Sequence, residues 1–169
     1  MSVPDCSSES VIATPILRDL TSLPAEKRQP LCKQVGKIER KTFPSSEAFD
    51  FDTELKKKNT NMILAFKNAD LGELSGYLVY VRMKRLVLLH KICVVQQERG
   101  KGVGKDLIHS LRRQLENQGG CQNIQLWVDE DRGPAKALYK SCGFEQIDRC
   151  VDYYGPGRNG LKMQLSIGK

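Results

Sequence analysis

The stretch Val87-Leu-Leu-His-Lys-Ile-Cys-Val-Val-Gln-Gln-Glu-Arg-Gly-Lys-Gly-Val-Gly-Lys-Asp-Leu-Ile108 decides how the rest of the chain is read. It opens as an apolar strand and closes as an amphipathic helix, with Arg99-Gly-Lys-Gly-Val-Gly104 between them. Glycines at 100, 102 and 104 let the backbone turn tightly and approach a ligand with no Cβ in the way. The helix that follows begins with amide N–H groups that lack internal partners, at the positive end of its dipole. Strand, glycine turn and helix N-terminus together predict an anion cradle suited to a pyrophosphate. Arg99, Lys101 and Lys105 add positive charge around it. The spacing is neither that of a Walker loop, G-x-x-x-x-G-K-[ST], nor that of the dinucleotide fingerprint G-x-G-x-x-G.

The chain has 169 residues, enough for one domain with a sizeable core. Hydrophobic content of 40% and charged content of 28% are ordinary for a globular protein. No run approaches the ~18 to 20 apolar residues of a membrane span. No basic n-region precedes an apolar h-region at the start, so a secretory signal is not expected and a cytoplasmic or nuclear location is. Cys6, Cys32, Cys93, Cys121, Cys142 and Cys150 show no C-x-x-C spacing, which argues against a metal site and for reduced thiols. The net charge of +7 suits a polyanionic ligand. The basic residues read as dispersed, so a nucleic-acid partner is not expected.

Outward from the central stretch, the pattern predicts a disordered, polar tail over residues 1–10 and a single domain over 11–169. Val11 to Leu17 reads as an edge strand, interrupted by Pro15. A helix follows Pro24, with Leu31, Val35 and Ile38 at helical spacing, and ends at Phe43-Pro44. A second helix is expected from Glu47 to Lys58, capped by Ser46. Asn61–Phe66 and Leu74–Val81 are strands joined by a turn. The helix after the glycine loop buries Val103, Leu107, Ile108, Leu111 and Leu115 and stops at Gly119-Gly120. Ile124–Val128 is a strand, and Pro134 opens a helix ending at Cys142-Gly143. Phe144–Val151 and Leu161–Ile167 are the last strands, flanking Asp152-Tyr-Tyr-Gly-Pro-Gly157 as a connecting segment. The order β-α-α-β-β-β-α-β-α-β-β predicts a mixed α/β fold, one sheet with helices on both faces.

Arg99, Gly102 and Gly104 fit the [RQ]-x-x-G-x-[GA] signature of the GNAT superfamily of acetyl-CoA-dependent N-acetyltransferases. A second block, Leu126-Trp-Val-Asp-Glu-Asp-Arg-Gly-Pro-Ala-Lys-Ala-Leu-Tyr-Lys-Ser-Cys-Gly-Phe144, resembles that family's L-x-V-x-x-x-N-x-x-A-x-x-L-Y-x-x-x-G-F motif. Arg132 stands where the family usually has asparagine. The resemblance implies a central sheet splayed between the central strand and Ile124–Val128, with acetyl-CoA in the gap. Backbone amides of Val94 and Val95 would pair with pantetheine, and Val94 would polarise the thioester carbonyl. Amides of Arg99, Gly100, Lys101, Gly102, Val103, Gly104 and Lys105 would hold the pyrophosphate, and Arg132 and Tyr139 would complete the cofactor contacts.

The implied reaction is direct attack of an amine on the thioester, needing a positioned cofactor, a proton acceptor and a donor for the leaving thiolate. The resemblance makes Tyr139 the donor. His90 is the candidate base, by similarity to a histidine that relays a proton through water in the arylalkylamine acetyltransferases. Strand alternation sets His90 on the face of Leu88 unless the strand bulges where it splays. In bacterial ribosomal-protein acetyltransferases a glutamate often occupies the position of Trp127, which cannot act as a base. Glu130 and Glu47 are the remaining carboxylate candidates.

Ile38-Glu-Arg-Lys-Thr-Phe-Pro44 and Asp152-Tyr-Tyr154 resemble segments of the RimI-like and N-terminal acetyltransferases that wall and cover a peptide. They make Phe43, Pro44, Tyr153 and Tyr154 the expected acceptor-binding residues, and a peptide α-amine or lysine the expected acceptor. Three other readings stay open. A polyamine or arylalkylamine enzyme could use Asp50, Asp52, Glu54 and Asp129 to Asp131. A regulatory module would bind acetyl-CoA without turnover. A basic nucleic-acid-binding protein would bind in a salt-sensitive way.

Overall fold

The structure is a computed structural model that describes residues 16–168, apart from 46, 47 and 49. Seven strands form one sheet: β1 Ile16–Asp19, β2 Thr60–Phe66, β3 Leu74–Arg82, β4 Leu86–Val94, β5 Asn123–Asp129, β6 Glu145–Gly155 and β7 Arg158–Ser166. The helices are α1 Ala25–Thr42, the single turn α2 Phe51–Glu54, α3 Val103–Gln118 and α4 Gly133–Ser141. Strand order across the sheet is β1-β2-β3-β4-β5-β7-β6, with β4 and β5 parallel and the other neighbours antiparallel. The mixed sheet and its element order match the expectation from sequence.

One apolar layer packs α3 and α4 on the sheet, through Leu107, Ile108, Leu111 and Tyr139 against Leu78, Val87 and Ile124. The other packs α1 on the opposite face, through Leu31 and Val35 against Leu64, Tyr77 and Val79. Alternating side chains of β2 and β3 feed both layers, so these strands are apolar almost throughout. The outer face of α1 exposes Lys33, Lys37, Arg40 and Lys41 at helical spacing, so part of the positive charge that looks dispersed in sequence is gathered there. No helix among the described residues is long and apolar enough to cross a membrane.

Three features position the site. First, α1 ends where Phe43 turns extended (φ −117°, ψ 148°), as the following Pro44 demands. Second, β4 and β5 pair only from Leu86 to Leu88 with Asn123 to Gln125, after which the strands part. Third, β4 carries one extra residue: Val79 faces Lys91 and Tyr80 faces Leu89, so His90 is a bulge.

Two boundaries differ from expectation. The helix expected over 47–58 is the one turn of α2. Asp50 caps it, its carboxylate accepting from the Thr53 N–H at 3.4 Å and the Thr53 hydroxyl at 2.9 Å. The lysines that follow end in Asn59 at φ +72°, and Phe51, edge-on to Tyr77 at 5.8 Å, is the buried apolar anchor of the turn. Ser46, Glu47 and the first residues of the expected edge strand, 11–15, lie outside the described residues, as does the tail 1–10. Asp152-Tyr-Tyr154 is not a connecting segment but part of β6. Cys150 pairs with Gly160 and Gly155 with Arg158, so residues 151–154 oppose Asn159 alone. Asp152 (φ +58°) holds this wide bulge, donating its N–H to Asn159 Oδ1 at 2.9 Å and accepting the Gly157 N–H at 2.8 Å.

Candidate active site

Where β4 and β5 part, a cavity of about 580 Å³ opens beside the N-terminus of α3. Its walls include Val94, Arg99, Gly100, Gly102, Gly104 and Lys105. Gly100 (φ +81°) and Gly102 (φ +83°) occupy left-handed backbone that residues with a Cβ rarely adopt. Gly104 serves differently: a Cβ there would sit 3.1 Å from Leu138, so it lets α3 and α4 approach. Arg99 Nε donates to the Val94 carbonyl at 3.0 Å, which ties the loop to the end of β4. The free amides at the start of α3 and the cations Arg99 and Lys105 fit a pyrophosphate. Lys101 is turned to Glu98 at 3.4 Å and does not line the cavity.

The amides of β4 sort by strand alternation. Val95 N–H donates to the Ser75 carbonyl at 2.9 Å, so it is spent on β3 and does not serve the gap as expected. In an antiparallel ladder the next amides outward alternate. Those of Val94 and Ile92 therefore face the side that β5 has left, and both residues line the cavity. Ile92 was not singled out in the sequence, because the alternation can be phased only once the Ser75 bond is known.

A second cavity of about 290 Å³ adjoins the first. Phe43, Ile92, Arg132, Ala135 and Tyr139 line both and form the junction. Tyr139 is buried, its ring edge-on to Phe144 at 5.8 Å, and burial pushes its phenol up to about 12. It is therefore a neutral O–H at physiological pH, able to donate. Arg132 starts α4 without a side-chain capping bond, its guanidinium 5.8 Å from the centre of the Phe43 ring.

The second cavity is walled by His90, Lys91, Trp127, Asp129, Tyr154 and Arg158 besides the junction residues. The bulge that exposes His90 also brings it to this wall. Lys91 Nζ lies 4.0 Å from the Phe43 ring centre and 2.5 Å from Glu39 Oε2. Glu39, fully buried on α1, also accepts from the Tyr77 hydroxyl; burial first, then nearby Cys93 and this bond, push the Tyr77 phenol far up. Tyr154 lines the cavity with its phenol pushed up to about 12 by burial, then by Tyr153 and Asp129. Tyr153 lies outside, stacked on Trp127 at 4.3 Å and edge-on to Tyr154 at 4.9 Å. Pro44 lines neither cavity; it acts on the chain direction of Phe43.

Two carboxylates near this wall are committed elsewhere. Asp129 accepts from the Asp131 N–H at 2.9 Å and from Arg158 Nε at 3.1 Å, and these hold its carboxyl below the usual range. Glu130 is likewise held low by Arg149 Nε at 2.6 Å and by Asn159. Glu130 is thus a poor base, and neither acid is free to bind a polycation. Trp127 was noticed only as a missing carboxylate; the structure makes it a wall. Gly160 was missed altogether. A Cβ there would lie 2.9 Å from Tyr153 Cβ, so its bareness makes room for the tyrosine cover.

A splayed sheet with a glycine cradle at one end and an aromatic chamber at the other is the architecture of acyl transfer from a coenzyme A thioester. The chain belongs to the GNAT family of acetyl-CoA-dependent N-acetyltransferases: the model of the acetyltransferase (GNAT) family matches residues 29–144. It is 25% identical over 143 residues to an N-alpha-acetyltransferase of Saccharolobus solfataricus, covering 77% of this chain and 84% of that protein. It is 35% identical over 97 residues to mycothiol acetyltransferase of Corynebacterium jeikeium; that match covers 57% of this chain but spans 24% of the relative's length. The fold is similar to the Escherichia coli ribosomal-protein-S18-alanine N-acetyltransferase (TM-score 0.73, 20% identity, 92% of this chain and 96% of that one). It is also similar to Arabidopsis thaliana NAA60 in complex with acetyl-CoA (TM-score 0.73, 18% identity, 91% and 99%).

Proposed function

We propose that the protein transfers an acetyl group from acetyl-CoA to the α-amine of a peptide or protein, or to a lysine side chain, by direct attack. The observation that carries this reading is the second cavity, an aromatic chamber walled by Phe43, Trp127 and Tyr154 that meets the coenzyme cavity at Tyr139. Rigid rings with polar handles suit an extended backbone end that offers both apolar surface and amide groups. Likeness to the N-alpha-acetyltransferase of S. solfataricus along most of both chains supports the same reading.

Acetyl-CoA supplies an activated acetyl thioester. The residues do the rest. The α3 cradle and Arg99 hold the phosphates, and the amides of Val94 and Ile92 present donors where negative charge develops on the carbonyl oxygen. Phe43, Trp127 and Tyr154 orient the amine. His90, at the cavity wall, takes the amine's proton through water, and the Tyr139 phenol delivers a proton to the departing sulfur.

The test is release of coenzyme A thiol with a panel of peptides bearing free or blocked N-termini, alongside spermidine and an arylalkylamine. Release that requires a free peptide amine is the expected result. Release with the small amines alone would move the acceptor to the small-molecule class, towards which the mycothiol acetyltransferase match points.

A further inference from the structure

We propose that the second cavity selects acceptors carrying a carboxylate on one of their first two residues, and that Arg132 receives it. The proposal rests on reading this cavity as the peptide-amine site. Its basis is the charge that remains once internal pairs are drawn. Lys91, Arg132 and Arg158 line the cavity, against the single acid Asp129. Arg158 is bound to that acid, with Nη2 3.0 Å and Nε 3.1 Å from Oδ2. Lys91 has Glu39 beneath it at 2.5 Å. Among the described residues, no carboxylate lies within ion-pair distance of Arg132, and Asp129 acts on it only from farther off, after Arg158.

Arg132 is also well placed. It stands at the junction of the two cavities, beside Tyr139 and Phe43. A guanidinium carried near an aromatic face keeps its N–H donors at its rim, in the fork that matches a carboxylate. An acceptor whose amine approaches the thioester has its first side chains within the same chamber. A carboxylate there would pair with Arg132, whereas a lysine or a second ammonium would meet the charge that Arg132 leaves uncompensated.

The same charge acts on the amine. Positive charge nearby favours the neutral form of an ammonium group. The uncompensated charge of Arg132 thus raises the fraction of acceptor ready to attack, in support of proton removal by His90.

The experiment compares kcat/KM for three peptides identical from residue three onward, with Asp, Ser or Lys at the first two positions. Wild type, Arg132→Gln and Arg132→Glu are assayed, and acetyl-CoA affinity is measured by calorimetry for each. A charge-assisted pair predicts that wild type favours the acidic over the neutral peptide by about 10- to 100-fold, with the lysine peptide lowest. Arg132→Gln should bring the acidic-to-neutral ratio to near unity, and Arg132→Glu should invert it. Any loss of cofactor affinity scales all three peptides alike, so the ratio isolates the acceptor's own contact. Equal rates for the three peptides on wild type overturn the proposal without any variant, and so does an acid preference that survives Arg132→Gln. If no peptide is acetylated and spermidine or the arylalkylamine is, the peptide reading has failed and this one falls with it. If all peptides are acetylated without regard to charge, only the acidic selection has failed.

Discussion

The two cavities are built from different materials. The coenzyme cavity is made largely of backbone: left-handed glycines, amide groups at the start of α3, and the strand amides that β5 leaves open. The adjoining cavity is made of side chains held by other side chains, with Trp127 under Tyr153, Lys91 over Phe43 and Arg158 on Asp129. Backbone recognises what all members of a family share, a pyrophosphate and a thioester. Side chains can be exchanged without altering the fold, so they are where an acceptor can be chosen. Damage to the first region should therefore remove acetyl-CoA binding, and damage to the second should alter acceptor kinetics while cofactor affinity persists.

The largest effect tests the first half of that contrast. Gly102→Glu places a Cβ on backbone at φ +83° and a carboxylate against the phosphates. Left-handed strain and like-charge repulsion together should lower acetyl-CoA affinity by on the order of 1,000-fold, measured by calorimetry. Nothing lies within 4 Å of the Cβ position, so no clash adds to that strain, and the thermal midpoint should fall by the few degrees that left-handed backbone alone costs. Undiminished affinity would move the phosphates elsewhere.

Tyr139 lies on the boundary and should behave like neither half. Tyr139→Phe keeps the ring packed on Phe144 and removes the donor. Loss of a positioned general acid predicts a fall in kcat of about 100-fold. Acetyl-CoA affinity and acceptor KM should stay close to wild type. An unchanged kcat would take the phenol out of the chemistry.

Gly160→Ala probes the second half from beneath. The new Cβ would lie 2.9 Å from Tyr153 Cβ and Cγ and push the tyrosine cover off Trp127. Overpacking of this kind costs roughly 1–3 kcal/mol, and if part of it appears in acceptor binding, KM for a peptide rises about fivefold. Acetyl-CoA affinity should not move. A matching loss of cofactor affinity would show that the two cavities are one mechanical unit.

The same contrast explains what could be read from the chain alone. The coenzyme side was legible because its function is written in residue types with few alternatives: glycines at 100 and 102, the strand before them and the helix after them. The failure at Val95 is instructive. Spacing placed an amide near the gap, but which amides face it depends on strand phase, which the Ser75 carbonyl and the His90 bulge set together. Of the residues lining the second cavity, Phe43, His90, Arg132, Tyr139 and Tyr154 stand out in the sequence, whereas Tyr153, also singled out there, lies outside it. The cations and the supporting Gly160 come from β4, β7 and the start of α4, which meet only in space. Asp152-Tyr-Tyr154 looked like a turn because Gly155-Pro156-Gly157 follows it. In the structure those glycines turn the hairpin, and the tyrosines sit in the bulge ahead of it.

The smallest expected effect is an absence of change. Burial raises the Tyr139 phenol from its usual value of 10.0 to about 12, so the neutral, donating form is the one the fold favours. As pH rises through 10, a phenol in water would ionise and lose its proton for the leaving sulfur; this one should keep it. The kcat profile should then be level between about pH 8.5 and 10.5 as far as Tyr139 is concerned. The decisive quantity is the wild-type profile divided by that of Tyr139→Phe, in which every other group common to both enzymes cancels. A flat quotient agrees with a buried donor. A quotient that falls with a midpoint near 10 would place the phenol in water, and Tyr139 would then not be the buried donor at the junction of the two cavities.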